Sequence, residues 1–437
     1  MTWLPWKQLV IGLVIALVAA FLFLGIDALP FHPDETSWLV QSQDLERFAS
    51  DPISMAYTSQ ARLPAEMAYR LLNAPAAKYT LAIGRRFAGY GPSTLPADWD
   101  WTASWEVNRQ RGAIPSPGLL QSARLASTAL IALSLLPLFA VGRRLGGTGT
   151  GVVTVALLAT NALVLLHGRR AMAEGALILA VSLVMAGVLW GDRHPWLAGL
   201  SLGLALATKQ STLPLLPVGL LGVGWSSALP DRSRGSTWIR LATCCVTLTV
   251  VWAILNPVAW RRPLETTTAM IAERRQLVAD QIADFGASGG LQVMDSAAER
   301  ASGLIASLYF AEPQVREAGN YDVALGTAQR AYLEQSATHL GRGLVGGAIT
   351  LLLALLGMAL GLRRLGSAAA AVRRDAALML LLTLVQTAAL LAAVPLAFQR
   401  YYLPLVPTLC VWIALALTES VRILRSGPAK SSSAAAT

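Results

Sequence analysis

The side chains best suited to chemistry are the adjacent carboxylates Asp34 and Glu35, in the run Phe31-His32-Pro33-Asp34-Glu35 directly after the first apolar segment. A carboxylate there can take the proton of an incoming hydroxyl as general base, or hold a divalent cation such as Mg or Mn. The same pair is also an ordinary helix N-terminus, where negative charge suits the helix dipole. A second cluster, His167-Gly168-Arg169-Arg170-Ala171-Met172-Ala173-Glu174, lies in a region with almost no other charge. Glu174 opens an apolar helix, where an ionisable residue is a functional candidate by default; a local ion pair with Arg170 is its structural alternative. Lys209, in Ala207-Thr208-Lys209-Gln210-Ser211, and Arg400, in Phe398-Gln399-Arg400-Tyr401-Tyr402, stand at the ends of further apolar segments. Cations at headgroup level suit a phosphate, which Arg can grip through two parallel hydrogen bonds, while snorkelling explains either one alone. His32 and His167 could join Asp34, Glu35 and Glu174 around a metal, but four histidines without regular ligand spacing make uncoordinated rings the default.

The elements that must position these residues are apolar helices. Of 437 residues, 54% are hydrophobic and only 14% charged, which argues against a water-soluble enzyme. The net charge of +10 does not mark a nucleic-acid partner, because the basic residues occupy short gaps between apolar runs. Runs near the 17–25 residues of a membrane span extend over 8–26, 119–141, 149–166, 175–189, 238–258, 344–362, 376–396 and 403–421. The stretch 197–225 is too long for one span and is interrupted by Lys209-Gln210 and Pro214, so it divides into two short helices. The expectation is an all-α, polytopic integral membrane protein with about ten transmembrane helices. The first run exceeds a signal-peptide core and reads as a retained helix. Cys244, Cys245 and Cys410 all fall in apolar runs and read as packing residues.

Nineteen of the 25 acidic residues, Glu317 among them, lie in two stretches, 30–118 and 260–341. Arg143, Arg144, Arg232, Arg234, Arg363, Arg364 and Lys430 belong to the opposite set of loops, which places both termini in the cytoplasm and the two long loops outside it. Arg169, Arg170, Lys209 and Arg400 are the basic residues left in the short outside loops. Both long loops show helical periodicity: Trp38, Leu45 and Phe48 share one face, as do Met270, Ile271, Leu277, Val278, Ile282 and Phe285. These helices are expected to lie at the membrane surface, with Trp99, Trp101 and Trp105 as interfacial anchors. The organisation expected is a transmembrane module over 1–258 with the first long loop at 30–118, a second long loop at 259–342, further transmembrane helices at 343–423, and a disordered Ser/Ala-rich tail from 424 onward.

The order of these features resembles the GT-C superfamily of membrane glycosyltransferases, in particular the group holding the protein O-mannosyltransferases (glycosyltransferase family 39) and the aminoarabinose transferases of lipid A. The resemblance rests on Asp34-Glu35, on Asn73-Ala74-Pro75 followed by Lys78-Tyr79, on Ala123-Arg124-Leu125-Ala126-Ser127, and on Gly142-Arg143-Arg144-Leu145-Gly146-Gly147. It continues through Arg170-Ala171-Met172-Ala173-Glu174, Thr208-Lys209-Gln210-Ser211 and Arg400-Tyr401-Tyr402-Leu403-Pro404. It is best from Phe31 to Pro217 and returns in the last two helices. It implies a sugar donor carried on a polyprenyl phosphate, drawn from the membrane lipids and transferred outside the cytoplasm with inversion. The acceptor would be a protein hydroxyl, a glycolipid or a cell-wall glycan. Asp34 would match the catalytic base, with Glu35 and Glu174 orienting it or binding a cation. Arg400, Lys209 and Arg169, then Arg170, Lys78, Arg124 and Tyr401, would bind the donor phosphate. Glu174 departs from the Asp common among relatives, and Ala74, Ala76 and Ala77 replace a more proline-rich motif. No soluble C-terminal domain like that of the large oligosaccharyltransferases is expected.

A transporter or lipid flippase is the main competing class. Such proteins place polar groups near the bilayer midplane and often carry internal repeats. Here the charges crowd the helix ends and no repeat is visible.

Overall fold

The computed structural model describes residues 4–60, 62–225, 234–287, 293–317, 321–335 and 339–426. Of the tail expected from residue 424, residues 424–426 end the helix Val406–Ser426, and the rest, with Lys430, falls outside the described residues, as does the expected cytoplasmic Arg232. The described chain is all-helical apart from an isolated bridge between Val293 and Leu396.

Among the described residues, six helices are long and apolar enough to cross a membrane, and four shorter apolar helices lie among them: Thr148–Ala159, Glu174–Trp190, Pro195–Leu206 and Leu215–Gly224. The chain breaks at Lys209 as expected, because Leu206 ends one helix, a turn follows at Gln210–Thr212, and Pro214 precedes the next. The run expected to reach residue 166 stops earlier, at Ala159. Asn161 there accepts from the backbone N–H of Leu163 and Val164, and the next turn, Val164–Gly168, is a wide π-turn.

At the end of Leu4–Phe23 the chain turns through Gly25, whose φ of 70° favours glycine. This turn leads to Pro33–Gln41, the helix that carries Asp34 and Glu35. The 30-residue helix Pro117–Gly146 doubles back into Thr148–Ala159. A Cβ on Gly142 would lie 2.9 Å from the Cα of Gly151, so small residues let the two backbones approach.

The long loops pack against one another more than expected for separate surface helices. Phe48 stacks on Tyr79 and Trp260 at 5.4 and 6.2 Å between ring centroids. Met270, on Pro263–Ala287, packs against the cluster of Met67, Leu71 and Val258. Trp99 is buried against Phe31, Trp101 and Trp105 instead of anchoring at an interface. The ring contacts hold the indole there although its Nε1–H is buried without a hydrogen-bond partner. Cys244 and Cys410 are buried as expected, whereas Cys245 is exposed on the outside of its helix.

At the end of the bundle away from Asp34, buried arginines satisfy helix C-termini. Arg374 is fully buried and donates to the carbonyls of Leu189, at 2.9 Å, and Gly222, at 2.6 Å, and to Trp225 O; Asp192 and Asp375 balance its charge at 3.5 and 3.2 Å. Arg144 makes two hydrogen bonds to Asp375, at 2.6 and 2.9 Å, and lies over Trp190. Arg374→Ala strands Asp192 and several carbonyls, leaving Asp375 to Arg144, and should destabilise the protein by about 3–5 kcal/mol. Thermal unfolding of the purified protein in detergent measures this; a melting temperature equal to wild type would contradict the clamp.

Candidate active site

Asp34 and Glu35 are adjacent but face opposite ways because they start a helix. His32 is the N-cap: its Nδ1 accepts from Asp34 N–H at 3.1 Å, while Glu35 Oε2 accepts from His32 N–H at 3.0 Å, closing a capping box. Glu35 is completely buried and accepts 2.7 Å bonds from Nε and Nη2 of Arg124, and a 2.9 Å bond from Ala171 N–H. Burial alone would raise its pKa; the Arg124 guanidinium overrides this and holds it below the usual carboxylate range. Arg124 also donates to Leu29 O at 2.8 Å, so this buried pair pins the segment leading to Asp34.

Asp34 is left half-buried on the wall of a cavity of about 580 Å³, with Glu174, Lys209, Arg400 and Tyr401 on the same cavity. Arg400 is the central cation. One Nη donates to Asp34 Oδ2, and its Nε lies 2.8 Å from Glu317 Oε2. Lys209 Nζ donates to Glu174 Oε1 at 2.7 Å. The Tyr401 ring lies 5.7 Å from the Arg400 guanidinium carbon and 6.0 Å from Lys209 Nζ. A third cation, Arg274, reaches this cavity from Pro263–Ala287 and donates to Gln210 Oε1 at 3.1 Å and to Leu72 O. The rings of Trp38, Tyr69, Trp101 and Phe398, the polar side chains of Ser37, Gln41, Asn73 and Gln281, and the carboxylates of Asp280 and Asp284 also line it. Behind the wall, Asp98 fixes Ser37 and Tyr69 by hydrogen bonds of 2.7 and 2.5 Å.

One atom each of His32, Asp34 and Glu317 lies within 4.8 Å of the other two, near enough to share a cation. The chemistry of this group does not fit a resident metal. The Arg400 guanidinium already bridges both carboxylates, and the Nδ1 lone pair of His32 is spent on Asp34 N–H. His32 is held neutral, its pKa lowered by burial and then by Arg170 and Arg400. Glu317 is pushed up to about 7, first by burial, with Asp34 adding to the rise and Arg400 opposing it.

The fold therefore gathers Asp34, Glu174, Arg400, Lys209 and Tyr401 and sends the other sequence candidates elsewhere. Glu35 and Arg124 form the buried pair above. Lys78 is buried against Asp44 Oδ2 at 3.3 Å and Tyr69 O at 3.2 Å. Arg169 donates to Leu165 O and Leu24 O, and Arg170 to Val315 O at 2.6 Å. His167 is fully buried and lies outside the His32, Asp34 and Glu317 group. Glu174 pairs with Lys209, not with Arg170. The sequence reading missed Arg274 and Glu317, both on the second long loop. Arg274, Gln281 and Asp284 form a polar stripe of helical spacing beside the apolar one, which is a readable signal; Glu317 follows Pro313-Gln314-Val315-Arg316, which carries none.

No protein-family model and no curated protein sequence matches the chain. Solved structures do. ArnT from Cupriavidus metallidurans, solved bound to undecaprenyl phosphate, is similar with a TM-score of 0.53 and 16% sequence identity over 93% of this chain and 60% of that one. The archaeal oligosaccharyltransferase AglB of Archaeoglobus fulgidus, solved with an inhibitory peptide and a dolichol-phosphate, is similar with a TM-score of 0.52 and 11% identity, covering 97% of this chain and 52% of that one. The chain has the GT-C fold of these membrane enzymes, and it spans about 60% of the length of ArnT and about half that of AglB.

The raised pKa of Glu317 has a consequence for stability. A carboxyl whose folded pKa of about 7 exceeds its ordinary 4.5 favours the folded state fully below pH 4.5. That contribution is lost as pH rises through 7. Other groups titrate in the same window, so the comparison is with Glu317→Gln. The difference in melting temperature, wild type minus variant, should fall as pH rises from about 4.5 to about 7; a flat difference would contradict the shift.

Proposed function

We propose that the protein is a membrane glycosyltransferase that moves a sugar from a polyprenyl-phosphate donor to a hydroxyl acceptor at the extracytoplasmic face. The observation that carries this reading is the cavity in which the half-buried Asp34 meets three cations, Arg400 and Lys209 at the ends of apolar helices and Arg274 on Pro263–Ala287, with the further carboxylates Glu174, Asp280, Asp284 and Glu317 on the same lining. A base and a phosphate-sized cluster of positive charge are the two things such a transfer needs. The donor arrives through the bilayer, so no nucleotide-binding fold is required. ArnT and AglB were solved with undecaprenyl phosphate and dolichol-phosphate, respectively, which supports the choice of donor.

In this mechanism Asp34 takes the proton of the acceptor hydroxyl while its oxygen attacks the anomeric carbon. The carbon–oxygen bond to the phosphate breaks on the opposite face, inverting the configuration, and the polyprenyl phosphate leaves with the electron pair. Arg400, Lys209, Arg274 and the Tyr401 hydroxyl stabilise the charge that grows on the leaving phosphate. Glu174 orients Lys209 through their 2.7 Å contact. Trp38, Tyr69 and Trp101 offer ring faces to the sugar, and Ser37, Gln41 and Asn73 offer hydrogen bonds to its hydroxyls. With Arg400 bridging them, Asp34 and Glu317 have their charge met without a divalent cation between them.

The test is release of polyprenyl phosphate from a panel of polyprenyl-phosphate hexoses and pentoses by the protein in lipid vesicles. Asp34→Asn should lower turnover on the order of 100-fold or more in protein that still inserts and folds, Glu317 remaining as partner of Arg400; full activity in that variant would remove Asp34 as base. Arg400→Ala and Arg274→Ala should each weaken binding of polyprenyl phosphate roughly tenfold or more, and unchanged affinity in both would remove the phosphate subsite.

A further inference from the structure

The segment carrying Glu317 is fastened to the residue beside Arg400. Gln399 N–H donates to Gln314 Oε1 at 3.1 Å, Gln314 N–H donates to Gln399 Oε1 at 2.6 Å, and Gln399 Nε2 donates to Glu312 O at 2.6 Å. This is a reciprocal clasp between two glutamines 85 residues apart. The stretch before it is held by Arg342, which donates to Ser307 O at 2.7 Å and Ala311 O at 2.8 Å, and Val315 O accepts from Arg170. At the far end Glu317 N–H donates to the Tyr321 hydroxyl at 3.1 Å. Four separate attachments thus deliver one carboxylate, 3% exposed, to the guanidinium that also holds the base.

That delivery is costly. A buried carboxylate loses its hydration, and neither oxygen of Glu317 gains a hydrogen bond to offset the loss; its compensation is the ion pair with Arg400. One guanidinium is shared by two carboxylates, so a third anion must compete with both.

We propose that Glu317 is a positioning residue of this site, presented by the Gln314–Gln399 clasp, which shares Arg400 with Asp34 and so sets how readily that cation passes from the base to an incoming phosphate. The inference rests on the transferase reading above. It assigns Glu317 two effects of opposite sign. In the free protein it competes with phosphate for Arg400. During turnover its negative charge beside Asp34 keeps that base avid for the acceptor proton and draws Arg400 off Asp34.

The experiment measures binding of undecaprenyl phosphate, without sugar, to the full chain in lipid nanodiscs, alongside turnover in vesicles. Glu317→Gln should bind undecaprenyl phosphate roughly threefold to tenfold more tightly than wild type, while turnover falls about tenfold. A residue that merely braces Arg400 for the phosphate would move both in the same direction, so weaker or unchanged binding in a variant that melts like wild type overturns the proposal. Should Glu317→Gln fail to fold, Gln314→Ala loosens the segment and keeps its charge. It too must tighten binding and slow turnover, and unchanged affinity overturns the proposal. Wild-type protein that does not bind undecaprenyl phosphate at all would instead remove the transferase reading.

Discussion

Arg400 carries its charge into a largely buried position, and such a charge persists only where opposite charge meets it. Asp34 comes from the first long loop, Glu317 from the second, and Arg400 from the turn before the last apolar helix. These three segments are far apart in the chain, so the site exists only when both loops and the bundle are docked together. The Gln314–Gln399 clasp and the Glu35–Arg124 pair are the supports: one fixes Glu317 against Arg400, the other fixes the helix start that aims Asp34. This bridge adds to the direct contacts between the loops, Phe48 on Trp260 and Met270 on Met67 and Leu71, that close them over one cavity.

The two ends of the bundle use arginine differently. Away from the site, Arg374 and Arg364 donate to backbone carbonyls at helix C-termini and lean on Asp375, Asp192 and Glu419. Carbonyl oxygens there have no competing partner, and the contacts are a fixed part of the packing. At the cavity, Arg400 and Lys209 instead meet side-chain carboxylates on a wall open enough to admit a solute. An ion pair of this kind can exchange one anion for another at a modest net change in energy, because the cation stays paired throughout. The same residue type thus serves stability at one end and, on the proposed reading, turnover at the other.

The apolar runs were legible because a bilayer span is a length constraint on composition, and the break at Lys209 because a lysine and a proline both interrupt such a run. Asp34, Glu174, Lys209 and Arg400 stood out for a related reason: a charge at the edge of an apolar segment is expensive and therefore conspicuous. The same conspicuousness pointed to residues the cavity does not use. Glu35, Arg124, Lys78, Arg169 and Arg170 are as charged as the others, and only the direction of each side chain separates them; that direction depends on helix phase and on which carbonyls need a donor, as at Leu29, Leu24 and Val315. Glu317 was illegible for the opposite reason. It sits in a loop with ten acidic residues, and nothing local distinguishes the one that folding carries inward.

The position of the acid and the cations along the cavity bears on how a transferase could avoid wasting its donor. With Arg400 on Asp34, the base is engaged until something draws the guanidinium away, and a phosphate held by Arg274 and Lys209 is the anion placed to do so. Water entering the cavity before the donor meets a carboxylate that is already paired, and a paired carboxylate is a poor base. On the proposed reading, once the phosphate arrives, Arg400 turns toward it and Asp34 is released beside the sugar it would help transfer. Base activation and leaving-group stabilisation are then one rearrangement of one side chain, so neither is spent without the other.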